Sequence, residues 1–187
     1  MDESNIKVLG ICGSLRKKSL NMSALRAAGE LMPQGMSMKL AEIGDLPLYN
    51  QDVFDAGLPE PVQRFCTEVR AADAVLIASP EYNFSVSAAL KNAIDWGSRV
   101  PDQVFFDKPI AVFSATKGVL GGPRGQYDLR RIFTSIWGHV LPRPEVFIGN
   151  AHNKFDAEGR LTDEATRKFL AALLEGFRAW IIRMHRK

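Results

Sequence analysis

Along the chain, apolar positions alternate between the period of a strand and that of a helix. Ile6 to Cys12 is a run rich in branched residues that stops at Gly13, which predicts a buried strand opening into a turn. From Ser19 the spacing lengthens: Met22, Leu25, Gly29 and Met32 share one helical face, and Pro33 ends the segment. Met36 to Glu42 is expected as a second strand. A long loop follows through Gly44, Pro47, Asn50 and Asp52 to Gly57, expected to cross one end of the sheet. Pro59 and Pro61 open a helical stripe of Val62, Phe65, Cys66 and Val69. Ala74 to Ala78 is then apolar throughout, as in a strand covered on both faces. Val86, Ala89, Leu90, Ala93 and Ile94 form the next stripe, Ile110 to Phe113 a fourth strand, Leu129, Ile132, Phe133 and Ile136 a further stripe, and Val146 to Ile148 a short strand. A last helix is expected from Asp163, with Phe169, Leu173, Phe177, Trp180 and Met184 inward and acidic residues at its positive end.

Such alternation implies a parallel sheet with helices on both faces, a doubly wound α/β domain taken here as one unit over residues 1–187. Sheets of this kind bind ligands at the carboxyl ends of their strands, so chemistry is expected in the loops after strands one, three and four.

The first loop, Gly13-Ser14-Leu15-Arg16-Lys17-Lys18-Ser19-Leu20-Asn21, leads into a helix with hydroxyls, an amide and cations. Ser14, Ser19, Asn21 and free helix amides suit a phosphate, with Arg16 as a charged fork. Equally, Ser and Asn serve as helix caps and Arg16 as a solvated charge. Neither a dinucleotide fingerprint nor a triphosphate loop is present, which favours a monophosphate. The second loop, Ser79-Pro80-Glu81-Tyr82-Asn83-Phe84-Ser85, sets a rigid proline, rings and an amide at the switch point, where a flat heteroaromatic ring fits and Ser85 is expected to cap the next helix. In the third, Ser114-Ala115-Thr116-Lys117-Gly118 precedes further glycines, hydroxyls beside positions that permit close backbone approach. A plain turn with incidental rings and a flexible glycine loop are the competing readings.

Composition narrows the classes. Of 187 residues 46% are apolar, enough for one sizeable core, and the formal charge of +3 is spread without a basic run, so no nucleic-acid partner is expected. Cys12 and Cys66 sit in apolar stretches without metal-ligand spacing, which suggests buried thiols in a reducing cytoplasm and no metal. Met1 to Asn5 is polar without signal-peptide character, and no apolar run approaches bilayer length, so no membrane span is expected. No serine-hydrolase elbow or paired-histidine motif occurs. His139, His152 and His185 are therefore expected as surface or structural residues, and no catalytic side chain is assigned.

Gly13-Ser14-Leu15-Arg16 before Ser19, Pro80-Glu81-Tyr82-Asn83-Phe84-Ser85, and Leu90-Lys91-Asn92-Ala93-Ile94-Asp95-Trp96 together resemble the NAD(P)H-dependent FMN reductase family, especially its quinone and chromate reductase branch. Gly121-Gly122-Pro123-Arg124-Gly125-Gln126-Tyr127 adds to the likeness, which covers nearly the whole chain. The resemblance implies a flavodoxin-like five-stranded sheet of order 2-1-3-4-5, FMN as cofactor, and NADH or NADPH as donor. Ser14, Leu15, Arg16, Ser19 and Asn21 would surround the phosphate. Pro80, Glu81, Tyr82, Asn83, Ser114, Thr116 and Gly118 would hold the ribityl chain and ring, supported by Lys91 and Asp95. It further implies ping-pong reduction of small acceptors and a homodimer, extended to a tetramer, with Arg124, Tyr127 and Glu145 at an interface. Arg99 is expected to hold an anionic part of the donor or acceptor near the pocket mouth. A flavodoxin-type carrier without nicotinamide turnover and a Rossmann dehydrogenase are the alternatives; charge balance and the missing fingerprint count against them.

Overall fold

The computed structural model describes residues 3–186; Met1, Asp2 and Lys187, which belong to the expected domain span and, for the first two, to the polar N-terminal stretch, lie outside the described residues. The elements run β1 (Ile6–Cys12), α1 (Leu20–Glu30), β2 (Met36–Leu40), α2 (Gln51–Asp55), α3 (Glu60–Ala71), β3 (Ala74–Ala78), β4 (Glu81–Tyr82), β5 (Ser85–Val86), α4 (Ala88–Arg99), β6 (Pro109–Ala115), α5 (Pro123–Ser135), β7 (His139–Val140), β8 (Val146–Ile148) and α6 (Glu164–His185), with a 3-10 turn at Ala151–Asn153.

The main sheet is parallel in the order β2-β1-β3-β6, and its fifth lane is shared: β7 pairs with the start of β6 and β8 with its end. This is the expected order 2-1-3-4-5 with the last strand in two pieces. Strand periodicity divides the core. Ile6, Val8, Cys12, Ala74, Leu76, Ala78, Ala111 and Phe113 face α1 and α6, whereas Leu9, Ile11, Val75, Ile77, Ile110 and Val112 face α3, α4 and α5. β3 is buried along its whole length because it lies centrally and both its faces are covered.

Four local expectations are corrected. β2 ends at Leu40, short of Glu42, whose side chain instead accepts a hydrogen bond from Gly44 N and starts a turn. The loop beyond it passes the end of β1, where Ala41 N donates to Gly10 O at 2.9 Å, and reaches α4. Pro47 O accepts from Trp96 Nε1 at 2.7 Å and from Asn92 Nδ2 at 2.9 Å, and α2, capped by Asn50, interrupts the loop. Val86 belongs to the short antiparallel pair β4–β5, not to a helix, and the cap of α4 is Ser87 rather than Ser85. On α6, Phe169 is exposed and Trp180 and Met184 are half-buried; the inward face is Leu170, Leu173, Leu174, Phe177 and Ile181, a stripe shifted by one position at its start.

Candidate functional site

The three loops singled out above meet over the carboxyl ends of β1, β3 and β6 around a cavity of about 160 Å3. Its wall includes Ser14, Arg16, Ser19 and Asn21 from the first loop, Pro80, Glu81 and Tyr82 from the second, and Thr116 and Lys117 from the third. Ser19 caps α1, its hydroxyl accepting from Met22 N at 3.2 Å. No acidic residue occupies the first turn of α1, so the positive end of the helix is uncompensated by its own sequence. Arg16 and Lys117 add cationic side chains that pair with no carboxylate among the described residues, and the arrangement is chemically suited to an anion such as a phosphate.

The interior of the site is locked by side chains that bond to main chain. Asn21 Nδ2 donates to Ala115 O at 2.8 Å and Asn21 Oδ1 accepts from Ala115 N at 3.0 Å, so this buried amide bridges to the end of β6 with one donor and one acceptor position. Ser87 Oγ donates to Gly13 O at 2.6 Å and thereby ties the first loop to the start of α4. Glu81 Oε2 accepts from Gly125 N at 2.9 Å. α5 begins at Gly122 and Pro123 without a cap of its own, and the carboxylate from β4 supplies one to its positive end. Sequence reasoning missed all three contacts, because each joins residues far apart in the chain. The signal within reach was the capless Gly-Gly-Pro start of α5.

The β4–β5 hairpin turns at Asn83 and Phe84, with φ of 51° and 67°. Two consecutive left-handed residues form the turn whose twist suits a tight hairpin. Asn tolerates that region, whereas a phenylalanine there is costly and marks a site that the surroundings hold in place. Phe84 stands 66% exposed, with the Arg124 guanidinium 4.2 Å above its ring. Leu15, Tyr82, Val119, Leu120 and Tyr127 are exposed on the same loops and on α5.

Other expected residues fall elsewhere. Ser114 is fully buried behind the third loop, where its hydroxyl donates to Gly121 O at 2.5 Å and accepts from Gln126 Nε2 at 2.7 Å, and it does not line the cavity. Thr116 Oγ1 donates to Gly118 O at 3.2 Å and shapes the loop turn. Lys91 and Asp95 pair with each other at 2.6 Å on α4. Arg99 ends α4, roughly 16 Å along the helix from its start by the usual rise per residue. Its guanidinium lies over the Tyr49 ring, away from the cavity. Arg124, Tyr127 and Glu145 do not meet within one chain: Arg124 covers Phe84, Tyr127 packs edge-on to Phe147, and Glu145 lies 3.7 Å from Arg130. His139 pairs with Asp107 and His185 reaches Asp73 O, both structural roles. Burial pushes the Cys12 thiol up, against hydrogen bonds from its sulfur to Ser14 O and with Ser19, so it stays a protonated thiol at neutral pH. Among the described residues no cluster fit to hold a metal ion occurs, and no helix is long and apolar enough to cross a membrane.

If Arg16 binds an anion here, Arg16→Ala should weaken binding of a phosphorylated ligand by roughly 10- to 100-fold, the worth of about 1.5–3 kcal/mol for a charge-assisted hydrogen bond. The fold should be unaffected, since the Arg16 side chain is exposed. Fluorescence titration with FMN checks this; unchanged affinity would remove Arg16 from the site.

Residues 6–153 match the family described as NADPH-dependent FMN reductase. An NAD(P)H-dependent FMN reductase of Pseudomonas aeruginosa is 49% identical, over 96% of this chain and 97% of the relative. An NADPH:quinone oxidoreductase of Arabidopsis thaliana is 44% identical over 97% and 95%. Among solved structures, the flavoenzyme NAD(P)H:(acceptor) oxidoreductase FerB of Paracoccus denitrificans superposes with a TM-score of 0.87 at 37% identity, covering 95% of this chain and 98% of its own.

Proposed function

The chain belongs to the NADPH-dependent FMN reductase family, and from that premise we propose that the cavity over β1, β3 and β6 holds FMN by its phosphate and that electrons pass through it from NADPH or NADH to small oxidised acceptors, quinones first. The observation that carries this reading is the cradle itself, in which the uncompensated start of α1, the Ser14 and Ser19 hydroxyls, and Arg16 and Lys117 converge on one small cavity. Cavities that enclose a whole ligand run to roughly 300–1,000 Å3. The smaller volume here suits the phosphate and ribityl end and leaves a planar ring at the mouth, flanked by Tyr82 and the Asn83–Phe84 turn. When bound, FMN supplies hydride acceptance and electron release. The protein's residues bind and orient it: Arg16 and the α1 amides hold the phosphate, while Glu81 and Asn21 keep the walls at fixed spacing. Pro80, Thr116 and Gly118 border the ribityl path, and Leu15 shields the outer side of the phosphate loop.

Relatives named as reductases favour turnover with a nicotinamide over a pure electron carrier. Chromate and similar oxidants are secondary acceptors in this reading, and the whole described chain acts as one catalytic unit. A homodimer, doubled into a tetramer, buries the exposed Leu15, Phe84, Val119, Leu120 and Tyr127, and brings Arg124, Tyr127 and Glu145 to partners in a second copy. A reducing, cytoplasmic setting agrees with two free buried cysteines.

The test is spectroscopic and kinetic. FMN-loaded protein should bleach on anaerobic addition of NADPH and recover its absorbance with a quinone, and steady-state plots should give parallel lines. A protein that NADPH and NADH both fail to bleach would sink the reductase reading; intersecting lines with a trapped ternary complex would sink the shared-face order of events.

A further inference from the structure

A second cleft, of about 420 Å3, opens on the outer side of the loop after β1, between that loop, α1 and the end of β2. Its floor is apolar and largely buried, formed by Cys12, Met22, Ala41 and Ile43, and its rim carries Arg16, Lys17 and Arg26. Glu42 is the carboxylate on the rim, and one of its oxygens already accepts from Gly44 N at 2.9 Å. Among the described residues none of the three cations forms an ion pair with a carboxylate. Elsewhere surface cations are commonly paired, as in Arg64 with Asp45, Arg70 with Asp102 and Arg160 with Asp156.

We infer that this cleft seats the 2′-phosphoadenosine end of NADPH, with Lys17 and Arg26 reading the 2′-phosphate, and that it is the site of discrimination between NADPH and NADH. The inference rests on the reductase reading above. Three observations support it. Ser14 and Arg16 line both the cleft and the cofactor cavity, so one loop is the wall between them, and a dinucleotide reaching the cavity mouth needs only to cross that loop. The volume is within the usual range for a site that holds a nucleoside-sized group. An apolar floor with a cationic rim also matches an adenine ring bearing a phosphate. Of the other lysines that a phosphate could meet, Lys117 lines the cofactor cavity itself and Lys18 lines neither space. The large cleft beside Glu3, Glu175 and Arg178 opens at the opposite, amino-terminal end of the strands and has mixed charge.

The probes are 2′,5′-ADP and 5′-AMP, which differ by the 2′-phosphate, titrated calorimetrically into FMN-loaded protein. Wild type should bind 2′,5′-ADP roughly 5- to 30-fold more tightly than 5′-AMP, as expected for two exposed charge pairs. The double variant Lys17→Ala/Arg26→Ala should lose that preference, keep its FMN content and melting temperature, and raise KM for NADPH by a similar factor with KM for NADH and kcat unchanged. Lys17→Arg/Arg26→Lys should retain the preference. Equal binding of the two nucleotides by wild type, a preference that survives in the double variant, or an equal rise in both KM values would overturn the assignment. Because nucleotide binding is read without turnover, the outcomes separate. Normal quinone reduction with no 2′-phosphate preference defeats the cleft alone, whereas a preference in a protein that oxidises neither nicotinamide defeats the reductase reading and leaves the cleft standing.

Discussion

Gly149→Ala should lower the melting temperature by about 10 °C and strip the protein of FMN. Gly149 follows β8, and a Cβ built there collides with the Val119 carbonyl oxygen and stands 2.7 Å from the Val119 carbonyl carbon and 3.2 Å from Gly118 O. All three obstacles are main chain, so no side chain can swing aside. The adjacent Asn150 N donates to Gly118 O at 3.0 Å, and that bond holds the third loop against β8. Relief requires moving either the loop or the strand end, a disruption of the kind that costs about 3 kcal/mol or more, and a shift of 1 kcal/mol moves the melting point of a chain this size by roughly 2–4 °C. Gly118→Ala is the control: its Cβ meets nothing nearer than Thr116 Oγ1 at 3.8 Å, so stability should change by less than about 0.5 kcal/mol. Calorimetric melting of the apoproteins and flavin content after gel filtration give the two readouts. A Gly149→Ala protein that melts with wild type would show that the loop does not rely on this close approach.

Asn21→Asp tests what the buried amide is for. Its two hydrogen bonds go to Ala115 N and O, which makes it a bridge between the start of α1 and the end of β6. An ionised carboxylate can still accept from Ala115 N but turns a lone pair on Ala115 O, and burial penalises its charge. Main-chain groups left without partners in such a place cost about 1–3 kcal/mol each, so flavin affinity at neutral pH should fall by roughly 10- to 100-fold. The diagnostic is the ratio of FMN to riboflavin affinity. If Asn21 sets the spacing between the two loops, both affinities fall by the same factor and the ratio is preserved. If it bonds the phosphate, FMN affinity falls and riboflavin affinity stays. The sign of the pH effect follows. A carboxyl whose folded pKa is raised above its unfolded value of about 3.9 imposes a penalty that grows as pH rises past that value, so affinity should recover toward pH 5, where the protonated form can donate to Ala115 O. A loss confined to FMN, or one independent of pH, would refute the clamp.

The layered α/β architecture is legible in the chain because period is a local property. The unbroken apolar run of Ala74 to Ala78, short and bounded by polar residues, reads as a strand covered on both faces, and the stripes of Val62, Phe65, Cys66 and Val69 or of Leu129 and Phe133 read as helices laid on the sheet, as the structure has them. The same locality marks the three loops, since Ser14 to Asn21, Pro80 to Ser85 and Ser114 to Gly118 each break the pattern at a strand's carboxyl end. What each polar side chain does in those loops was decided by tertiary structure. Asn21 and Ser114 read from the chain only as polar loop residues, and their bonds to Ala115, Gly121 and Gln126, from other segments, exist only in the folded chain. Glu81 acquires its place from the capless start of α5, and Arg99, attractive by its neighbours in the chain, is carried to the far end of a helix. A hydrogen bond depends on where two remote pieces of backbone come to rest, and a helix moves successive residues along its axis whatever their chemistry. Periodicity therefore records which face of an element is buried, whereas the partners of a polar group exist only once the sheet has brought the loops together.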